Sequence, residues 1–215
     1  MAIYSSGIET KRRFILLTHQ KLTQSSASDL SVRELSAESG YSSSALYRHF
    51  ESLEYLIIVS SVRFLDEYMA EYAKIWDGEG DMDTYYLAGW KLFNHYAFAR
   101  PDIYYRLFWG QYNQQFTNAV QEYYDLFPFS GAKRYPNYFH SLLFNDNITK
   151  RDLLVLQQLS ARGLVSEEKA AYLGRTTSLI VKGILHEALE LPPEGRLQAE
   201  EECNRILEQS LKFIL

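Results

Sequence analysis

The stretch from Ser31 to Phe50 leaves this chain few ways to fold. Ser31 and Glu34 have the spacing of a capping box, in which the serine hydroxyl takes the amide three residues on and the glutamate reaches back to the first one. Val32 and Leu35 then share one face of a helix that stops at Gly40, the residue type that enters a left-handed turn without steric cost. Ser42 opens a second helix at once, with Leu46 and Phe50 turned inward. Two short helices joined across a glycine describe a helix-turn-helix. Two packed helices of an arbitrary all-α domain would show the same spacing.

The rest of the chain also reads as helix. A first helix is expected from about Ile8 to Thr23, with Ser6 and Glu9 at capping-box spacing and Phe14, Leu17, Thr18 and Leu22 on one face. Residues 24–29 form a polar loop. After Ser52 the apolar residues Leu53, Leu56, Phe64, Tyr68, Tyr72 and Ile75 recur every three or four positions or at multiples of that, which predicts one long helix from Leu53 to Trp76, ended by Asp77-Gly78-Glu79-Gly80-Asp81. Further helices are expected at about 83–99, 101–109, 110–126, 136–145, 150–162, 166–190 and 197–214. Pro101 suits a first helical position, and Asp102 suits the positive end of the helix dipole. The expected fold class is therefore all-α.

No run reaches the ~18 apolar residues of a membrane span. The N-terminus lacks the basic and apolar regions of a signal peptide. Cys203, the single cysteine, excludes an intrachain disulfide and fits a reducing cytoplasm. The net charge is −5, yet residues 1–50 carry +2 and the remainder −7. A weakly basic head on an acidic body suits local phosphate binding.

Within residues 30–56, Leu46-Tyr47-Arg48-His49-Phe50, preceded by Gly40 and followed by Ser52-x-Glu54-x-x-Leu56, resembles the TetR/AcrR family of transcriptional regulators. The likeness covers about 50 residues when the first helix is included. Farther on, Ala97-Phe98-Ala99-Arg100-Pro101-Asp102-Ile103-Tyr104 is similar to a common opening of that family's sixth helix. The resemblance implies a helix-turn-helix DNA-binding domain over 1–55, joined by a long fourth helix to an effector-binding and dimerisation domain over 56–215. It implies a cytoplasmic homodimer on a palindromic operator, most often a repressor, with no cofactor or metal.

The recognition helix would enter the major groove by its N-terminal end, placing Ser42, Ser43, Ser44 and Ala45 nearest the bases. Serine hydroxyls donate or accept, so they read permissively. Arg33 matches a family position that reaches a base edge; its guanidinium can take guanine O6 and N7 together, or stand as a solvated charge. Tyr47 and His49 match phosphate-contacting positions, and Arg48 can add a further phosphate contact. Leu53 departs from the family, which usually has lysine there at a helix N-terminus. Weaker DNA affinity follows unless Lys11, Arg12 or Arg13 compensates.

Residues 85–144 hold twenty aromatics. Tyr86, Trp90, Phe93, Tyr112, Phe116 and Tyr138 are candidates for the wall of an effector pocket, although such rings can equally fill a core. With Glu122 or Asp125 nearby, an aromatic cavity would favour a lipophilic cation; uncharged aromatic or acyl ligands fit as well. In the last two helices, Ala170, Leu173, Thr177, Ile180 and Ile184, then Leu207, Ser210, Leu211 and Ile214, form faces suited to pairing between subunits or to burial within one. The histidines never pair at one-turn spacing, and no phosphate loop or nucleophile elbow occurs, so no enzyme is expected. The alternative to a ligand-responsive regulator is a ligand- or protein-binding helical module with a weakened DNA-binding head.

Overall fold

A helix that is apolar on every side has to be covered on every side, and Leu53–Val62 is such a helix: every residue from Leu56 to Val62 is buried. Its two covers explain the first half of the architecture. The computed structural model describes residues 2–77, 82–128, 148–163 and 165–214. Among them all regular elements are helices: α1 (Ala2–Leu22), α2 (Val32–Ser39), α3 (Ser43–His49), α4 (Leu53–Val62), α5 (Leu65–Asp77), α6 (Met82–Ala99), α7 (Pro101–Trp109), α8 (Phe116–Leu126), α9 (Ile148–Ala161), α10 (Glu167–Glu187) and α11 (Pro193–Ile214). No helix of the described residues is long and apolar enough to cross a membrane. The expected helix at 136–145 lies outside the described residues.

Packing divides the chain into two units, Met1–Asp66 with Gln111–Phe129, and Glu67–Gly110 with Ser130–Leu215. The first unit thus runs past residue 55 and takes in α8. There α4 packs against α1 and also against α8. Phe14, Leu22, Leu35, Leu46, Phe50 and Leu56 form its centre; full burial of each is worth about 1.5–3 kcal/mol. Phe116, Ala119, Val120 and Tyr123 supply the apolar face of α8.

The stretch expected as one long helix, Leu53 to Trp76, is two. Ser61 turns its hydroxyl back onto the Ile57 carbonyl at 2.7 Å, a bond that competes with the helical ladder and bends it. The next amides close tighter turns, Phe64 onto Ser61 and Asp66 onto Arg63. At the other end α1 begins at Ala2, so Ser6 lies within the helix and not at its N-terminus.

In the second unit α6 packs on α11, α9 on α10, α10 on α11 and α7, and α9 on α6. Pro101 sits at the start of α7 and Asp102 in its first turn, held by Arg100 at 2.8 Å. Asn94, fully buried, donates to Asn204 at 2.8 Å, and Lys91 pairs with Glu208, so polar contacts fix the register of α6 on α11. Cys203 is buried beside them, and burial pushes its thiol up to about 12.

Of the pairing face read from sequence on α10, Ala170, Leu173 and Thr177 are buried within the unit, where α9 and α11 pack on the helix, while Ile180 and Ile184 are half-buried. The apolar residues left outside are Tyr172 (64% exposed) and Leu179 (49%), one turn from the exposed Gly183, with Leu197 and Phe213 exposed on α11.

Candidate nucleic-acid interface

The turn between α2 and α3 is built by local hydrogen bonds. Ser31 accepts from the Glu34 amide at 3.2 Å. The Glu34 carboxylate does not return to that cap as the capping box requires; it pairs with Lys21 at 2.6 Å, and Glu38 joins the same ammonium at 2.5 Å. These two contacts fasten α2 to α1. Gly40 ends α2 with φ of 79°, and a Cβ there would meet nothing within 4 Å. Gly40→Ala is therefore expected to cost about 1–2 kcal/mol through the left-handed backbone alone, readable as a lower urea midpoint with an unchanged slope.

Ser42 caps α3 by accepting from the Ala45 amide at 3.2 Å. Its oxygen also lies 2.9 Å from that of Ser44, while Ser43 and Ser36 hydroxyls meet at 3.2 Å. Ser42, Ser43 and Ser44 are exposed with Arg33, Tyr47 and Arg48. Ala45 is not: it is 4% exposed and faces inward with Leu46. At 100° per residue, burying Ala45, Leu46 and Phe50 turns Ser43, Ser44, Tyr47 and Arg48 outward, so Ala45 leaves the set of candidates for base contact. Tyr47 is 55% exposed. His49 is half-buried at the end of α3; burial, then the charges of Lys11 and Arg48, lower its pKa, against a smaller opposing pull from Glu122.

Of the basic residues on α1, Lys11 pairs with Glu122 at 2.7 Å. Arg12 donates twice to the Leu126 carbonyl, at 3.2 and 2.8 Å. Both partners belong to α8. Arg13 is exposed.

The six pocket candidates are spread over the two units and the residues outside the described ones. Tyr86, Trp90 and Phe93 are buried in the second unit, where the Tyr86 hydroxyl lies 3.0 Å from both Asp152 Oδ2 and Thr177 Oγ1 and Trp90 Nε1 donates to Asp152 Oδ1 at 2.8 Å. Burial, then the Asp152 charge, raises the Tyr86 pKa well above its ordinary value. Sequence reasoning missed Asp152, although an aspartate at a position that buries its neighbours Val155, Leu156 and Leu159 was a visible signal. Tyr112 and Phe116 belong to the first unit, at the start of α8, and Tyr138 lies outside the described residues. Glu122 and Asp125 line an open cleft of about 480 Å³ with Lys11, Tyr55, Asn118, Gln121 and Leu126, a lining that mixes charged and polar groups with an aliphatic side chain and the Tyr55 ring.

No family model matches the chain, and neither a curated protein nor a solved structure does.

Proposed function

We propose that this chain is a ligand-responsive DNA-binding transcriptional regulator of the TetR type, acting as a cytoplasmic homodimer and released from a palindromic operator by a small, mostly apolar or aromatic effector. The observation that carries the reading is the outward face of α3, where Ser43, Ser44, Tyr47 and Arg48 stand exposed on a helix capped and fixed by buried neighbours. Hydroxyls at its N-terminal end suit base edges, and a phenol and a guanidinium farther along suit phosphates. Tyr172, Leu179 and Gly183 give α10 an exposed apolar face for a second copy, with Gly183 allowing close approach. Tyr86, Trp90 and Phe93 are where the body would read an effector, which has to part rings now in contact.

Selecting duplexes from a random pool at about 50 mM salt tests this. The expected product is a palindrome with half-site centres about 34–36 Å, or a multiple, apart. Failure to bind any duplex favours the second reading, a ligand- or protein-binding module with a weakened head, which Leu53 and the engagement of Lys11 and Arg12 by α8 support.

His49 adds a pH signature. In the free protein its pKa is depressed, and an adjacent phosphate would raise it again. DNA binding should then tighten as pH falls below about 6.5, by up to about tenfold for each unit separating the two values, and level off once the free protein is itself protonated. Anisotropy titrations between pH 8 and 5.5 read this, and His49→Gln should flatten the curve.

A further inference from the structure

Two of the three basic residues that could replace the ammonium missing at Leu53, Lys11 and Arg12, are held by α8. Lys11 Nζ lies 2.7 Å from Glu122 Oε1, and Tyr55 donates its hydroxyl to Oε2 of the same carboxylate at 2.9 Å. Arg12 is bound to the last-turn carbonyl of α8 and lies over the Phe127 ring, 5.8 Å from its centre. Lys11 belongs to the surface where α3 ends: its ammonium is 5.6 Å from the centre of the Phe50 ring, and a Cβ on Gly7, one turn earlier, would lie 3.7 Å from the His49 ring. The Lys11 and Glu122 side chains are 26% and 20% exposed, yet Glu122 Oε1 itself is buried without a hydrogen bond, so its contact with the ammonium is an ion pair only. A charge contact without a directed hydrogen bond is the weaker kind, so a phosphate that accepts such bonds can compete for the cation.

We propose that Glu122 is a charge gate on DNA binding: this carboxylate competes with DNA phosphate for Lys11 and keeps the affinity of the head below what its basic residues would otherwise give. The inference rests on the DNA-binding reading above. Tyr55 holds the gate in place by fixing the second carboxylate oxygen. Arg12 differs in kind, because its partners are a neutral carbonyl and an aromatic ring, with no carboxylate to compete with phosphate. Removing the negative charge of Glu122 frees one cation and removes one repulsion at the same surface.

The test uses the full chain and a 30-bp random-sequence duplex, with fluorescence anisotropy from 20 to 250 mM KCl. Glu122→Gln is expected to bind about three- to tenfold more tightly at 50 mM. Its plot of log affinity against log salt should be steeper by about 0.9, the signature of one added phosphate contact. Lys11→Gln added to that variant should cancel both changes, whereas Lys11→Gln alone should change affinity less than twofold. Glu122→Ala serves as a second variant if the glutamine disturbs the fold, and the same steepening is expected. An unchanged affinity and slope in both Glu122 variants, while the native protein binds the duplex, overturns the gate alone. An equal gain from Asp125→Asn, on the same helix but unpaired with Lys11, overturns it in favour of general charge reduction. No binding by native protein or variants at 20 mM overturns the DNA-binding reading, and the gate with it.

Discussion

Phe93→Ala is expected to destabilise the second unit by about 3–5 kcal/mol, the range for deleting a fully packed aromatic ring. Phe93 is 3% exposed. Its ring centre lies 5.8 Å from that of Tyr68, 5.6 Å from Trp90, 5.5 Å from Tyr104, 5.2 Å from Phe108 and 6.1 Å from Trp109, each at a steep edge-to-face angle. Such contacts add about 0.5–1.5 kcal/mol per pair beyond the buried area. The cavity is also hard to close. Trp90 is tied to Asp152 by its indole N–H, and Tyr68 is stacked on Tyr72, so neither neighbour can slide in without losing a contact of its own. For a chain of this size the midpoint of thermal unfolding should fall by about 6–20 °C. Near-UV circular dichroism, which reports the tryptophans, should follow the same transition. Phe93→Leu, which keeps most of the volume, should recover more than half of the loss. A loss below about 1 kcal/mol for the alanine variant would show that the rings collapse onto one another and that the cluster is not the rigid centre described.

The chain announces its structure wherever the cause is local. The starts of α2 and α3 follow from Ser31 and Ser42, whose hydroxyls find the amides three residues on, and the turn follows from Gly40. Pro101 marks α7 for the same reason. Long-range causes stay hidden. Glu34 reads as the second half of a capping box, yet a lysine on α1 outcompetes the backbone amide for its carboxylate. The 3.6-residue rhythm runs through Ser60 and Ser61 unbroken, because a serine that back-bonds onto the ladder has the same polarity as one that points outward. One signal could have been used: Leu56-Ile57-Ile58-Val59 is apolar around a full turn, and α1 covers one side only. A second cover was implied, and α8 provides it from across the sequence. The same ambiguity governs the candidate site. Spacing put Ala170, Leu173 and Thr177 on one face of α10, but whether that face meets another helix of the same chain or a second copy depends on where α9 and α11 go. Ala45 shared a helix end with three serines, and only the packing of Leu46 and Phe50 decides that its methyl faces inward.

Replacing Tyr47 and Arg48 together by alanine should lower affinity for duplex DNA about 30-fold to about 1,500-fold while leaving the fold intact. Both residues are exposed on the outward face of α3. Surface changes of that kind shift stability by no more than about 0.5 kcal/mol, so the unfolding midpoint should not move. Binding is another matter. A guanidinium on a phosphate makes a charge-assisted bond worth about 1.5–3 kcal/mol, and a phenol adds about 0.5–1.5; each 1.4 kcal/mol is a factor of ten in affinity. The two contributions separate by their salt dependence. Loss of Arg48 removes one counterion-releasing contact and should flatten the salt slope by about 0.9, whereas Tyr47→Phe alone should weaken binding several-fold at every salt concentration and leave the slope where it was. Neither change should alter which sequence is preferred, because phosphate contacts position the protein without reading it. Arg33→Ala should do the opposite, relaxing the choice of base at one position by about 1–3 kcal/mol with a smaller uniform loss. If the double variant binds duplex as tightly as the native chain, α3 does not face the phosphates, and the second reading of the head takes over.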